Sequence, residues 1–453
     1  MKKWSYFLLL VNLSLISRAQ KYDNYWVGGR YPDFQNQGWF GNSDMEFMQD
    51  SLKQEAHWRN SAYNATMFSL SDRNGNFLSH SNGFWVMDTA NAIIENGDSL
   101  NYGTGWEDFY PTAQSSIGYA LVQGMHFIPA TNHDSTFYIF HELMSFNGTY
   151  FPVDSICLSV LVNQSGFLKL TKKNAMLNGM NNLPQDGNLA SCRHGNGRDW
   201  WVTYVGRNSN CTHLFLLTPD TLEYYGQHCE GDTIYERTGR YAVFSPDGTK
   251  YARSGSGGIN VLDFDRCNGT FSNLMQIPPA LTYDSSAQVS LDLIMSIVFS
   301  PNNRYLYSCH TVKVLQYDLW DANPDLTRDT VAELDYFVDT VPNAGSGIFL
   351  FCFSQIAPDG KIYIGSFNGE RFLCRINNPD GKGDSCQFGM REIVLPKFWR
   401  GSMPYYPNYR LGRLPGSTCD TIYSDVKPLY TQTPWLKVYP NPATDLVRFE
   451  YNW

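Results

Sequence analysis

The residues best suited to ligand chemistry lie together in the segment CRHGNGRDWWVTYV, residues 192–205. A guanidinium, a carboxylate and two indoles beside a Gly-Asn-Gly turn can hold a sugar or a peptide at a protein face. The candidate ligand contacts are His194, Arg198, Asp199, Trp200 and Trp201. The competing explanation, which we favour, is structural: the charged pair caps the turn, and the tryptophans alternate between the faces of a strand and pack in the core.

Paired cysteines and histidines raise the alternative of a metal site. Residues at i and i+2 of a strand share a face, so both can reach one ion. Such sets are Cys192 with His194, Cys211 with His213, and the neighbouring His228 and Cys229. Their spacing matches no common zinc pattern, and disulfide bonding competes for the cysteines. Calcium is an alternative at the turns around Asp72, Asp380 and Asp384, which hairpin geometry also explains. We predict no metal ion and no other cofactor.

No local catalytic motif is present in the sequence. The stretch HELMS, residues 141–145, lacks the second histidine of a zinc-protease helix. There is no G-x-S-x-G nucleophile elbow, no G-x-x-x-x-G-K-[ST] phosphate loop and no G-x-G-x-x-G between a strand and a helix. An enzyme on this chain would have to assemble its site from distant segments. Nucleic acid is not a predicted partner, because a net charge of −9 offers no basic surface.

The N-terminus predicts export from the cytoplasm. Lys2 and Lys3 precede the apolar stretch YFLLLVNLSLI, and SRA at residues 17–19 has the small-x-small form of a cleavage site. Residues 1–19 are therefore predicted to be a signal peptide, too short for a lasting membrane span. No other long apolar run follows, so no transmembrane segment is predicted. The expected location is outside the cell or on its outer surface.

Ten cysteines follow the predicted signal peptide, and an oxidising compartment favours disulfides among them. Cys374 and Cys386 bracket the turn-rich RINNPDGKGDS, so a bridge between them would staple a hairpin. Spacing does not decide the other pairings. Buried free thiols are an alternative, because a core of this size does not need staples.

Three stretches share one layout: YAVFSPDGTKYARS from residue 241, SIVFSPNNRYLYSC from 296 and FSQIAPDGKIYIGS from 353. Each has an apolar strand, a tight turn and a second strand that alternates apolar and polar residues, which predicts a β-hairpin. Weaker copies lie upstream. The turns are centred on Asn74, Asp134, Asn196, Asp247, Asn302 and Asp359, which are 51 to 62 residues apart. A repeat of this length built from short strands predicts an all-β propeller over residues 20–415, with WD40-like blades.

Six turns require at least six blades, and we expect seven. The last would be completed by pairing FWRGSMPYYPNYRLG, residues 398–412, with YWVGGRYPDF, residues 25–34. An array of β-sandwiches or a β-helix is the alternative fold. The one helix that we expect covers Asp44 to Trp58, as an insertion.

Beyond the propeller, residues 416–434 are polar and contain prolines, which is typical of a linker. The segment VYPNPATDLVRFEY then carries Tyr439, Pro440, Asn441, Pro442 and Asp445. It resembles the start of the C-terminal sorting domain of the type IX secretion system of Bacteroidetes. This resemblance implies that residues 435–453 begin a small β-sandwich, incomplete here, and that the secretion machinery is a partner.

The propeller region is similar to surface proteins of the same bacteria in segments such as DRNGNFLSHSNGFWVMD and LDFDRCNGTFSN. That family implies a fold and a location but no settled activity. The function that we expect is an exported propeller that binds a glycan or a protein at a face or at the central channel. The alternative is a propeller enzyme, a glycan-degrading or lactonase-like hydrolase, with its active site at the channel mouth.

Overall fold

The chain folds as a β-propeller of seven blades around a central channel. This fold is seen in a computed structural model that describes residues 20–30, 41–49, 51–59, 61–113, 118–131, 133–148, 151–177, 182–235, 241–255, 257–279, 281–283, 289–291, 293–339, 347–368, 370–399, 401–420, 435–439 and 448–452. The predicted signal peptide lies outside these residues. The predicted fold class and blade number are confirmed.

The first three blades occupy the N-terminal part of the chain. Blade 1 contains β1 Tyr25–Arg30, β2 Gly41–Phe47 and β3 Leu52–His57. Blade 2 contains β4 Phe68–Ser71, β5 Phe77–Ser81 and β6 Val86–Asp88. Blade 3 contains β7 Met125–Pro129, β8 Thr136–Met144, β9 Val153–Gln164 and β10 Phe167–Met176. All three sheets are antiparallel.

The remaining four blades each have four strands. Blade 4 contains β11 Ala190–Arg193, β12 Trp200–Val205, β13 Ser209–Leu217 and β14 Leu222–Ile234. Blade 5 contains β15 Tyr241–Phe244, β16 Lys250–Gly255, β17 Gly258–Asp265 and β18 Thr270–Ile277. Blade 6 contains β21 Ile294–Phe299, β22 Tyr305–His310, β23 Lys313–Asp318 and β24 Asp329–Glu333. Blade 7 contains β27 Phe353–Ile356, β28 Ile362–Gly365, β29 Glu370–Ile376 and β30 Phe388–Trp399.

The other described elements are short. Two hairpins lie between blades: β19 Leu281–Tyr283 with β20 Val289–Leu291, and β25 Val338–Asp339 with β26 Gly347–Ile348. One α-helix, α1 Thr104–Ala113, follows blade 2, and a 3₁₀ helix covers Gly383–Cys386. The predicted helix over residues 44–58 is wrong, because most of that segment forms β2 and β3.

The six predicted turns each join the first two strands of blades 2 to 7. In blade 5 the N–H of Gly248 donates to the carbonyl of Ser245 at 2.8 Å. Gly248 has a φ of +73°, which glycine adopts without a Cβ penalty. The same i to i+3 bond joins Gly360 to Ala357 in blade 7. The repeat in the sequence therefore marks one hairpin per blade.

The first strands of blades 2 to 7 are innermost and surround the channel. We call the side on which they begin the start face and the side on which they end the end face. The hairpin turns lie on the end face, because each turn directly follows an innermost strand.

Blades 7 and 1 close the ring. The hydroxyl of Ser43 in β2 donates to the carbonyl of Lys397 in β30 at 2.9 Å and accepts the Lys397 N–H at 3.0 Å. The closure predicted from residues 398–412 and 25–34 is only partly right. The two stretches touch, with the rings of Trp26 and Tyr406 stacked 6.2 Å apart. Among the described residues, however, they form no strand pair, and both blades are built from consecutive strands.

Residues 402–411, which we call the channel segment, run from the start face to the end face inside the ring. The Ser402 N–H donates to the Asn64 carbonyl at 3.1 Å. The hydroxyl of Tyr406 donates to the carbonyl of Ser69, and that of Tyr409 to the carbonyl of Phe127, both at 2.8 Å. Both tyrosines are buried. The channel is therefore filled by a polar-tipped aromatic segment that binds the free edges of innermost strands.

Four of the cysteines form disulfides. Cys211 pairs with Cys229 across β13 and β14, and Cys267 pairs with Cys419. The predicted bridge between Cys374 and Cys386 is wrong, because both are buried free thiols. Cys374 Sγ instead lies 3.7 Å from Met390 Sδ in the core of blade 7. The turn between them is closed by its own hydrogen bonds, such as Asn378 N–H to the Cys386 carbonyl at 2.9 Å.

Near the C-terminus, β31 Trp435–Tyr439 pairs antiparallel with β32 Arg448–Asn452. Of the predicted sorting residues, Tyr439 ends β31, whereas Pro440, Asn441, Pro442 and Asp445 lie outside the described residues. Within the described part of the chain, neither helix has the length and hydrophobicity to cross a membrane.

Candidate ligand-binding cavity

A cavity of about 210 Å³ opens between the channel segment and the ends of the innermost strands of blades 4 to 7. The end of each strand turns away at its hairpin, which leaves space beside the channel segment. Its lining is largely apolar and includes Val243, Phe244, Phe299 and Ile356. Its polar lining residues include Asp23, Ser191, Arg193, Ser245, Ser354, Gln355, Asn408 and Arg410.

Arg193, at the end of β11, is a buried cation in this cavity. Its side chain is only 5% exposed, and its guanidinium lies 4.6 Å from the ring centre of Trp200. It donates to the Gly197 carbonyl at 3.1 Å and to the Gln20 side chain at 2.7 Å, while its Nε has no hydrogen-bond partner. Among the described residues, no carboxylate forms an ion pair with it. Burial lowers the pKa of Arg193 to about 10, so it is charged at neutral pH.

Asp23 and Arg410 form the second charged feature of the cavity. The guanidinium of Arg410 donates to both carboxylate oxygens of Asp23, at 2.7 and 2.8 Å. This bidentate pair joins the channel segment to the residues before β1 and neutralises both charges. The positive charge of Arg193 is therefore left uncompensated within the cavity lining.

The remaining polar groups are held in place by the fold. The side-chain amide of Asn408 donates to the Pro246 carbonyl at 2.7 Å, and that of Gln355 to the Ile356 carbonyl at 2.9 Å. The Ser245 hydroxyl donates to the Asp247 carboxylate at 2.7 Å, which caps the hairpin turn. The side-chain oxygen of Asn408 accepts the Arg410 N–H at 3.0 Å.

The cavity lacks the usual equipment for covalent or acid–base catalysis. Cys192 lines it, but burial raises the pKa of this thiol to about 12, so the nucleophilic thiolate is not formed at neutral pH. Among the described lining residues there is no histidine, and the one carboxylate, Asp23, is held by Arg410.

The five ligand contacts predicted from sequence surround the turn beside this cavity, and none of them lines it. Trp200 and Trp201 are buried, and the indole N–H of Trp201 donates to the Arg266 carbonyl at 2.8 Å. Arg198 Nε donates to the Asp199 carboxylate at 2.7 Å, and His194 Nε2 lies 3.0 Å from the Cys267 carbonyl oxygen. These contacts fit the structural explanation, in which the charged pair caps the turn and the tryptophans pack in the core. Only Arg198 keeps a large exposed fraction, 43% of its side chain.

Sequence reasoning missed Arg193 although it stands next to His194. The sequence feature that could have pointed to Arg193 is its position as the last residue of an apolar strand before a Gly-rich turn. A charged side chain there points along the channel wall only because the strand is innermost, and that position is a property of the ring.

The Cys/His sets do not converge on an ion. Cys211 and Cys229 are joined in a disulfide, and Cys192 is separate from them as a buried thiol. Within the described residues, no group of three or more His, Cys, Asp or Glu side chains is placed to hold a metal ion. At the Asp72 turn, one carboxylate oxygen accepts the N–H groups of Asn74 at 2.8 Å and Asn76 at 3.0 Å. These bonds are those of a hairpin turn and explain the position of Asp72 without calcium.

Comparisons with known proteins give structural neighbours only; no family model and no curated protein sequence matches this chain. A protein from Lactobacillus plantarum is 11% identical, with 84% of this chain and 98% of that chain covered and a TM-score of 0.44. A putative 6-phosphogluconolactonase from Bacteroides fragilis is 11% identical, covering 83% and 96%, with a TM-score of 0.42. The periplasmic gluconolactonase of Pseudomonas aeruginosa is 12% identical, covering 84% and 98%, with a TM-score of 0.39.

Proposed function

We propose that this chain is an exported propeller that binds a small acidic ligand, such as the uronic acid unit of a glycan, in the end-face cavity. One observation carries the proposal: Arg193 is a buried cation with no carboxylate partner among the described residues, in a cavity of about 210 Å³. A buried charge is costly unless it is paired, so a site of this kind favours a ligand that supplies the anion.

The other lining groups support a sugar-like ligand. The Trp200 ring holds the guanidinium plane from one side, which favours an approach of the ligand from the cavity side. The side-chain amide oxygen of Gln355, a lining residue, is an acceptor for a ligand hydroxyl group. The apolar walls suit the C–H faces of a sugar ring. The ligand carboxylate would lie beside the Arg193 guanidinium and supply the negative charge that this cation lacks.

The export half of the proposal is supported by sequence features and by the disulfides, which are typical of proteins outside the cytoplasm. We propose that residues 1–19 are removed during export and that the type IX machinery recognises residues 435–453. The N-terminus of the mature protein, determined by mass spectrometry, should begin at Gln20. Deletion of residues 435–453 should abolish surface delivery in a cell that has this secretion system.

The binding test is calorimetric titration with glucuronate and galacturonate, using glucose and galactose as neutral controls. We expect the matching acidic sugar to bind roughly 10- to 100-fold more tightly than its neutral counterpart, the range for one charge-assisted hydrogen bond. Arg193→Gln should remove this preference. Arg198→Gln should keep it, because Arg198 lies outside the cavity.

Equal affinity for acidic and neutral sugars would overturn the proposal, and so would an unchanged preference in a folded Arg193→Gln protein. Hydrolysis of a sugar lactone by the wild-type protein, lost with Arg193→Gln, would instead assign the alternative enzymatic function. Far-ultraviolet circular dichroism establishes that each variant is folded.

A further inference from the structure

The residues that follow the predicted cleavage site are anchored on the end face, beside the cavity. The Lys21 N–H donates to the carbonyl of Arg73, in the turn of blade 2, at 3.3 Å. Tyr22 is 1% exposed, and its ring centre lies 5.4 Å from that of Tyr409 in the channel segment. These contacts hold the chain in place immediately after Gln20, so the position of Gln20 is set by the folded ring.

The side chain of Gln20 binds the buried cation of the cavity. The Arg193 guanidinium donates to Gln20 Oε1 at 2.7 Å, and Gln20 is half-buried. A hydrogen bond from a charged donor is stronger than one from a neutral donor and draws electron density towards the carbonyl oxygen. The carbon of that carbonyl, Gln20 Cδ, is therefore more open to attack by a nucleophile, in the way that oxyanion donors activate an acyl group.

Removal of residues 1–19, the export half of the proposed function on which this inference rests, would give Gln20 a free α-amino group. A protonated amine there would add a positive charge beside Arg193. The surroundings are already positive: burial lowers the pKa of Arg193, and the nearby Arg266 lowers it further. Neighbouring like charges disfavour the protonated amine, so more of it carries a free lone pair. This nucleophile belongs to the same residue as the activated Cδ.

We propose that Gln20 of the exported chain cyclises to pyroglutamate and that Arg193 promotes the reaction. The α-nitrogen attacks Cδ and forms the ring bond, the bond from Cδ to Nε2 breaks, and the amine proton leaves with Nε2 as ammonia. No oxidant, reductant or second substrate is needed. The former Oε1 becomes the lactam oxygen and still accepts from Arg193. The product is neutral, so the N-terminus adds no charge to the cavity, and Arg193 keeps its role towards an acidic ligand.

The test uses the mature chain, residues 20–453, made with an N-terminal tag whose removal by a protease leaves Gln20 first. Mass spectrometry of the N-terminal peptide follows the loss of one ammonia with time. Cyclisation should be roughly tenfold faster in the folded protein than in a synthetic peptide of residues 20–30, the effect of one charge-assisted hydrogen bond. Arg193→Gln should reduce the rate to that of the peptide. Arg198→Gln is the matched control and should keep the wild-type rate, because Arg198 lies outside the cavity.

The same peptide from protein exported by a cell separates this inference from the proposed function. A chain that begins with pyroglutamate at position 20 supports both. A chain that begins with unmodified Gln20 would overturn the cyclisation and leave export intact, whereas a chain that begins elsewhere would overturn the cleavage and the cyclisation together. Equal rates in the wild type and in a folded Arg193→Gln protein would overturn the role of Arg193. Gln20→Ala, which has no side-chain amide to lose, is the blank for the mass measurement.

Discussion

Arg410 holds Asp23 with two parallel hydrogen bonds, and through this contact the last segment of the propeller is fastened to the first. Asp23 lies two residues before β1, and Arg410 is near the end of the channel segment. The pair is partly buried, with the Asp23 side chain 8% exposed. It therefore has two roles, since it locks the channel segment in the ring and forms one wall of the cavity.

Breaking this pair should destabilise the ring. Asp23→Asn leaves the Arg410 guanidinium without its bidentate acceptor, and we expect the free energy of unfolding to fall by about 2 kcal/mol. Urea unfolding followed by tryptophan fluorescence measures the change. Arg413→Ala serves as the control, because it breaks an exposed pair with Asp420 and should cost less than about 1 kcal/mol. Equal losses in the two variants would contradict the prediction.

Gly28 should be essential for the contact between blades 1 and 7. A Cβ at this position would lie 2.6 Å from the Trp399 ring, and that ring is buried. Gly28→Ala should therefore lower the free energy of unfolding by about 1–3 kcal/mol through overpacking. Gly412→Ala is the matched control, because a Cβ there meets no atom within 4 Å. Thermal unfolding of both variants tests the difference, and a neutral Gly28→Ala would show that the closure can relax.

The Cys267–Cys419 disulfide should contribute strongly to the stability of the propeller. It closes a loop of 152 residues and fixes the chain just beyond the channel segment. Replacing both cysteines by serine should cost about 2–4 kcal/mol. The same replacement at Cys211 and Cys229, which are 18 residues apart and already paired across two strands, should cost less. Urea titrations of the two double variants decide the order, and the reverse order would refute it.

Acid should destabilise the protein through its buried histidines. Burial, together with the nearby Arg59, lowers the pKa of His80 to about 3, below the ordinary value of 6.5. Between these values the unfolded chain binds the proton and the folded chain does not, so stability is complete above about pH 6.5 and falls as the pH drops towards 3. Stability measured from pH 7 to pH 4 should therefore decline less steeply for His80→Gln. The exposed His133→Gln should decline as the wild type does, and equal slopes for all three would contradict this account.

The strand and turn pattern could be predicted because it is local. A run such as Ser245-Pro246-Asp247-Gly248 selects its turn from the conformations of four residues, whatever surrounds them. Each of the six turns correctly marks one of the seven blades, from blade 2 to blade 7. The segment from Asp44 to Trp58 was predicted wrongly as a helix, because its mixed apolar and charged pattern suits both the helical and the strand period. In the structure, β2 pairs with β1 and with β3, so the segment forms strands.

The candidate site was beyond local reasoning. Trp200 and Trp201 looked like ligand contacts because aromatic residues serve both binding and packing, and only their burial distinguishes the two uses. Cys374 and Cys386 flank one turn, yet both are buried free thiols in the core. Proximity along the chain does not specify the direction of a side chain, which a disulfide requires.

By itself, the sequence determined the all-β class, the length of the repeating unit and the position of six hairpin turns, because these depend on alternation and turn chemistry within a few residues. The tertiary structure alone decided that residues 402–411 fill the channel and that Arg193 faces a cavity beside Asn408. Those contacts join segments that are tens to hundreds of residues apart. They exist only after seven sheets close into a ring, and no short-range pattern encodes that closure.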